Sequence, residues 1–435
     1  KVIISYGPTN YFLYRGQPMG FHYELMKKFT DYLDVELKVV VAKNLDQFIK
    51  MLNRGEGDII AHNLTITKNR KRKVAFSEEH TPTQQVLVQK MPKNWRKLPM
   101  YRIKEQLILS VLDLEGETVH VRKNSSYFER LKFLSHEIGG DIHIDTVAGD
   151  VTTEELVEWV SKGKIGLTVA DEDIAKINKT YLQNIFIDTQ VSLLQRNAWA
   201  LRKNSPKLLD KLNQWIRKIK RKPTYNIVYN KYFNDRKGFV RRLRSDLFAL
   251  KTGNISRYDE IIKEYAQKID WDWKLLASLV YAESQFDRQA QSWAGAKGLM
   301  QLMDPTARQY NVSNPLDPRQ NISGGTRYLE DLEEFWEEIP DSLERRKFIL
   351  ASYNVGQFHV RDAQRLAEKY DKDPKKWDGN VEKYLKLKSK PDYYNDDVVK
   401  YGYCRGEEPV KYVKAIFYIY SHYSKLIDEH EKKAG

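Results

Sequence analysis

In Asp270-Trp271-Asp272-Trp273-Lys274-Leu275-Leu276-Ala277-Ser278-Leu279-Val280-Tyr281-Ala282-Glu283-Ser284-Gln285-Phe286, helical spacing runs over Trp273–Ser284. Asp270 or Asp272 can cap its start, where a carboxylate also suits the helix dipole. Counting from Leu276 by three, four and seven residues gives Leu279, Val280 and Glu283. The glutamate therefore falls on the apolar stripe, where a solvated charge does not belong. Desolvation disfavours a carboxylate anion and raises its pKa. A carboxyl that keeps its proton near neutral pH can act as a general acid on a glycosidic oxygen. The plainer reading is a glutamate at a helix end, paired with Arg288 or Lys297.

Outward from this helix, strand signals are absent over 250–435. Helical spacing runs through Tyr258–Ile269, Gly324–Trp336, Leu343–Asn354, Val360–Lys369 and Pro409–Leu426. An all-α domain is expected over 255–435. Several short motifs follow Glu283-Ser284 in order. They are Ser292, the run Gly298-Leu299-Met300-Gln301-Leu302-Met303, then Ala351-Ser352-Tyr353-Asn354-Val355-Gly356, then Tyr412-Val413 with Ile416. Taken singly each is ordinary: Tyr353 fits a core, and Gly356 fits the residue that ends a helix. The ordered set, over roughly 255–425, resembles the lytic transglycosylases, whose catalytic domain has a goose-type lysozyme-like fold.

That resemblance implies roles. Glu283 would be the only catalytic acid/base. It would protonate the oxygen of a MurNAc–GlcNAc bond, then take the proton of the C6 hydroxyl on the same muramyl ring. The product would be a 1,6-anhydro sugar, formed without water. Ser292, Gln301, Tyr353 and Tyr412 would surround the scissile sugar. Met300 and Met303 would line the groove, and Asn354 would support the site. Two departures, Arg288 after the glutamate and Asp304-Pro305 after Met303, bear on loop geometry. Asp287, four residues after Glu283, offers a second carboxylate, so an ordinary hydrolytic pair stays open.

Residues 1–230 have a different rhythm. Strands at Val2–Tyr6, Leu37–Ala42 and Asp58–Ala61 alternate with helices at 23–33 and Leu45–Leu52. The order recurs with strands Thr118–Arg122, Ile142–Thr146 and Ile165–Ala170 around helices Ser126–Ser135 and Thr153–Lys162. Two such units in tandem predict an α/β architecture of two lobes. Lobe 1 is expected over 1–87 and 192–230, lobe 2 over 88–191, and a basic connector over 231–254. The segments Gly20–Leu25, Gly57–Ile60, Asn63–Arg70, Arg122–Ser126 and Ala170–Asp173 are similar to periplasmic solute-binding proteins of family 3. The resemblance implies that Arg70 holds a ligand α-carboxylate, that Asn63 and Thr65 donate nearby, and that Asp171 meets an α-ammonium from the other lobe. Arg70 also lies in the charged run Lys68–Lys73, where the plainer reading is one solvated cation among five, but it ends a Thr-x-x-Arg pattern that suits carboxylate contact.

The composition agrees with a chain of two to three domains. It has 435 residues, 41% hydrophobic and 30% charged, with mean hydropathy −0.64. No apolar run approaches the ~20 residues of a membrane helix. The single cysteine, Cys404, excludes an internal disulfide. Residues 1–250 carry 43 Lys and Arg against 28 Asp and Glu, and the rest carry 30 against 31. Within 201–250 the ratio is 15 to 3. Such a block suits an anionic polymer or lipid surface, or is a solvated helix face. No zinc-finger, RRM or P-loop spacing supports nucleic acid, and no metal or cofactor is expected.

The arrangement as a whole resembles the membrane-bound lytic murein transglycosylase F family. The resemblance implies peptidoglycan glycan strands as substrate, and an amino acid or muropeptide at the first domain. It also implies a periplasmic location held at the outer membrane by an absent N-terminal segment. Two other readings remain open: a hydrolytic muramidase, and a murein- or amino-acid-binding receptor without catalysis.

Overall fold

In the computed structural model, which describes residues 1–148 and 151–434, the chain divides into Lys1–Thr252 and Gly253–Gly435. The first unit holds two five-stranded sheets. Val2–Ile4 is the parallel neighbour of both Val39–Val41 and Ile59–Thr65, so its Val-Ile-Ile run is buried on both faces. Two antiparallel strands, Gln195–Leu201 and Ala75–Thr83, complete that sheet. The second sheet runs in the order Ile185–Phe186, Gln85–Lys90, Leu167–Asp171, Thr118–Arg122, His143–Val147. The chain therefore passes between sheets twice, at Gln84 and between Phe186 and Gln195. Gln85–Leu87, expected in lobe 1, belong to the second sheet because they pair with Ala170 and its neighbours.

The helices form where the apolar spacing placed them. Phe21–Tyr32 buries Phe21, Leu25, Met26 and Phe29 against the first sheet. Thr153–Lys162 starts in a capping box in which Thr152 and Glu155 satisfy each other's backbone N–H groups. The expected connector 231–254 departs from expectation. Tyr232, Phe233 and Phe248 are buried in the first unit's core, and Tyr232 Oη donates to Glu24 while accepting from Gly20 N at 2.8 Å. Arg236, Lys237, Arg241 and Arg244 are exposed on this packed segment, whereas Arg242 is buried and donates to Lys231 O at 2.9 Å.

The second unit is helical. Helix Trp273–Ser284 is capped by Asp272, whose carboxylate accepts from Lys274 N at 2.9 Å. It packs on the C-terminal helix Glu407–Ala434, which also meets Ser342–Val355. Trp336, Phe348 and Trp377 pack in series, tilted and then edge to face, with centroids 5.1 and 5.5 Å apart, and Trp336 Nε1 donates to Ser352 Oγ at 2.9 Å. That bond resolves the buried indole's polar end. Cys404 is buried, which pushes its thiol up to about 11. Among the described residues, no helix is long and apolar enough to cross a membrane.

Candidate functional site

Glu283 sits one residue before the end of its helix and is half-buried. Burial pushes its pKa up to about 7, and a hydrogen bond from Tyr412 Oη to Oε1 acts in the opposite sense. Tyr412 reaches it from the C-terminal helix. Burial, and then the neighbouring Glu283, push the Tyr412 and Tyr353 hydroxyls well above their ordinary range, so both stay protonated donors. Tyr353 Oη donates to the Met300 carbonyl at 2.7 Å, and its ring lies 5.2 Å from that of Tyr328.

The loop between Glu283 and Met303 is held by its own polar groups. Ser292 Oγ accepts from Ala296 N at 3.0 Å. Gln301 Nε2 donates to the carbonyls of Ala290 at 3.1 Å and Gly298 at 2.8 Å. Ser292 and Gln301 therefore shape the loop beside the glutamate. Met303 is 42% exposed at the start of helix Asp304–Gln309, and Asn354 is exposed at the end of Ser342–Val355. Met300 requires a correction. Its side chain is 0% exposed and packs where a Cβ on Gly325 would meet Sδ at 2.4 Å. It supports the loop from beneath and does not line a groove.

Asp287 is no partner to Glu283. The helix ends at Ser284, Gln285 and Phe286 take positive φ of 51° and 64°, and Asp287 caps a turn by accepting from Gln289 N at 2.9 Å. The four-residue spacing counted from the sequence applies only while the helix continues. Lys297 pairs with Asp304 at 2.8 Å instead of with Glu283. Asn321 escaped the sequence reading. It is 0% exposed, accepts from Met300 N at 2.7 Å, and donates to the carbonyls of Lys297 at 3.0 Å and Pro315 at 2.7 Å. The nearby Gly324-Gly325, an unfavourable pair inside a helix, was the available signal that something packs closely there.

In the first unit, Thr65, Arg70 and Asp171 come together across the two sheets. Arg70 Nη1 donates to Thr65 O at 3.1 Å and Nη2 to Asn124 O at 3.4 Å. Thr65 Oγ1 donates to Ser126 Oγ at 3.2 Å and Asn197 Oδ1 at 3.3 Å, and Asn197 Nδ2 donates to Asp171 Oδ2 at 3.3 Å. Asp171 Oδ1 is buried without a hydrogen-bond partner, and burial beside Asp173 raises its pKa. Among the described residues, Arg70 makes no carboxylate ion pair within 4.0 Å; burial lowers its pKa. Asn63 lies outside this network, with Oδ1 buried and unpartnered. Behind the strand, His22, His62 and His80 are buried, and desolvation, the largest cause, lowers the pKa of each. A cavity of about 840 Å³ opens beside Thr65, Ser126, Glu129 and Gln195.

Residues 2–235 match the model for bacterial extracellular solute-binding proteins, family 3, and residues 260–376 match the transglycosylase SLT domain. Tyr412 lies beyond the second match. A protein of Desulfosudis oleivorans named membrane-bound lytic murein transglycosylase F is 34% identical over 96% of this chain and 88% of its own length. One of the same name from Pseudomonas fluorescens is 33% identical over 96% of this chain and 82% of its own. Among solved structures, an ancestral arginine-binding protein bound to arginine covers 53% of this chain and 97% of its own, at 23% identity and a TM-score of 0.44.

Proposed function

This chain belongs to the membrane-bound lytic murein transglycosylase F family, and on that premise we propose that Glu283 is its single acid/base. The substrate is the β-1,4 bond between MurNAc and GlcNAc in peptidoglycan. The observation that carries this reading is the desolvated Glu283 carboxyl with Tyr412 on Oε1. Protonated Glu283 gives its proton to the glycosidic oxygen as the bond to the muramyl C1 breaks. The resulting carboxylate then takes the proton of the C6 hydroxyl while that oxygen closes on C1. Proton donor and acceptor are one group, so no second carboxylate is required. Ser292, Gln301 and Tyr353 hold the surrounding loop in register, the exposed Met303 lines the groove, and Asn354 supports the site.

The first unit takes an amino acid or cell-wall peptide. The Arg70 guanidinium holds its carboxylate in the fork geometry suited to two hydrogen bonds, and Asp171 meets its ammonium. Binding there alters turnover at Glu283. The protein works in the periplasm, at the outer membrane.

The test is mass spectrometry of products released from purified murein sacculi by the native protein and by Glu283→Gln. Products one water lighter than hydrolytic fragments, absent with the variant, are expected. Reducing-end products would instead make the enzyme a hydrolase. Release by neither protein, even with added cell-wall peptide, would leave a receptor without catalysis.

A further inference from the structure

We infer that a basic groove on the first unit, away from the Arg70–Asp171 network, seats the phosphate headgroups of an anionic phospholipid membrane. The groove has a volume of about 1010 Å³. Its walls carry Lys176, Lys179, Arg236, Lys237, Arg241 and Arg244. Helix Arg236–Leu243 sets Lys237, Arg241 and Arg244 at spacings of four and three, on one face. All three, with Arg236, are exposed, and among the described residues none has a carboxylate within ion-pair distance. The facing wall is partly neutralised: Lys176 pairs with Glu172 at 2.7 Å and Lys179 with Asp188 at 3.7 Å. Tyr181 and Phe239, with ring centroids 6.1 Å apart, hold the two walls together. The cations are therefore presented by a packed frame.

The rim distinguishes a membrane from a soluble phosphate. Met91, Trp95 and Met100 line the groove beside the cations. Met100 is 57% exposed and the adjoining Tyr101 61%. Lys93, Arg96, Lys97, Arg102 and Lys104 flank them in sequence, and of these Arg102 pairs with Glu105 at 3.2 Å. Exposed methionine and tyrosine amid such a run of cations have no role in holding a small soluble anion. At a bilayer, the cations meet the phosphates while Met100, Tyr101 and Trp95 enter the boundary between headgroups and acyl chains.

The measurement is flotation of the full chain with phosphatidylcholine vesicles, with and without phosphatidylglycerol. Each cation near an anionic surface is worth about fivefold in partition, so Lys237→Gln/Arg241→Gln/Arg244→Gln should weaken binding to the phosphatidylglycerol vesicles roughly 100-fold. Lys203→Gln/Lys207→Gln/Lys211→Gln makes the same change in net charge at exposed positions on, and in the turn before, helix Pro206–Lys220, and should leave partition unchanged. Met100→Ser/Tyr101→Ser should weaken binding several-fold while preserving its salt dependence, and decides the matter if the first variant does not fold. Equal losses from both triple variants would mean diffuse attraction to net charge and would overturn the site. So would the absence of any preference for phosphatidylglycerol. Full displacement by millimolar free glycerol phosphate would make the groove a soluble-anion site and overturn the membrane reading. None of these arms measures sugar release, so their failure is separate from failure of the reading of Glu283.

Discussion

A carboxyl that must first give and then take a proton works best when its pKa lies near the working pH. Two local features set that balance for Glu283: an apolar helix face that removes water, and one phenol that stabilises the anion. In the proposed reaction the first step uses the protonated form, so kcat/KM should fall as pH rises through about 7. Tyr412→Phe removes the group that favours the carboxylate. Its alkaline limb should move up by on the order of one pH unit, and kcat should fall roughly tenfold as the carboxyl loses its orientation. A pH–rate profile of both proteins on soluble glycan checks this. An unmoved limb would show that Tyr412 does not touch the acting group.

At the scale of elements, the helices alone do not make the site; the loop pinned beneath them does. Asn321 satisfies three backbone groups of that loop and its neighbours from within helix Pro318–Phe335. Gly298 takes φ +80°, and a Cβ there would stand 2.1 Å from Pro315 O. Such close approach is why glycine occupies the position. Asn321→Ala strands the Met300 N–H and two carbonyls in a buried place. A loss of about 3 kcal/mol is expected, summed over the stranded groups and tempered by water entering. Thermal unfolding reads the loss, and turnover should fall with it even though Asn321 touches no substrate. Retained turnover at full stability would sink this account of the loop.

For the molecule as a whole, a solute-binding α/β unit precedes a helical transglycosylase unit. If ligand binding alters turnover, the coupling is reciprocal, and glycan must change the ligand's affinity by the same factor. Arg70→Ala should weaken binding of a cell-wall peptide by roughly 10–100-fold, the worth of a charge-assisted pair. Calorimetric titration of the peptide, with and without a glycan fragment, measures both quantities. Peptide affinity unaffected by glycan would remove the coupling and leave two independent sites on one chain.

The layered alternation of the first unit and the helical spacing of the second were legible in the sequence, because both are local periodicities of apolar residues. The helix of Glu283 was readable to its last turn for the same reason. Glu283, Tyr353 and Tyr412 were legible only as an ordered set of motifs; that Tyr412 bonds Oε1 is a contact between residues 129 positions apart. Met300 was misjudged because burial depends on what packs opposite, here Gly325. Asp287 was misjudged because the helix stops before it. The 231–254 segment was read as a basic connector, and Tyr232 and Phe248 within it are buried in the first unit's core. Asn197 carried no local signal, and Asn321 only the indirect one of the neighbouring Gly324-Gly325 pair. Periodicity lives along the chain, where sequence records it. Desolvation, hydrogen-bond closure and the depth of a side chain are set by neighbours that only folding brings near.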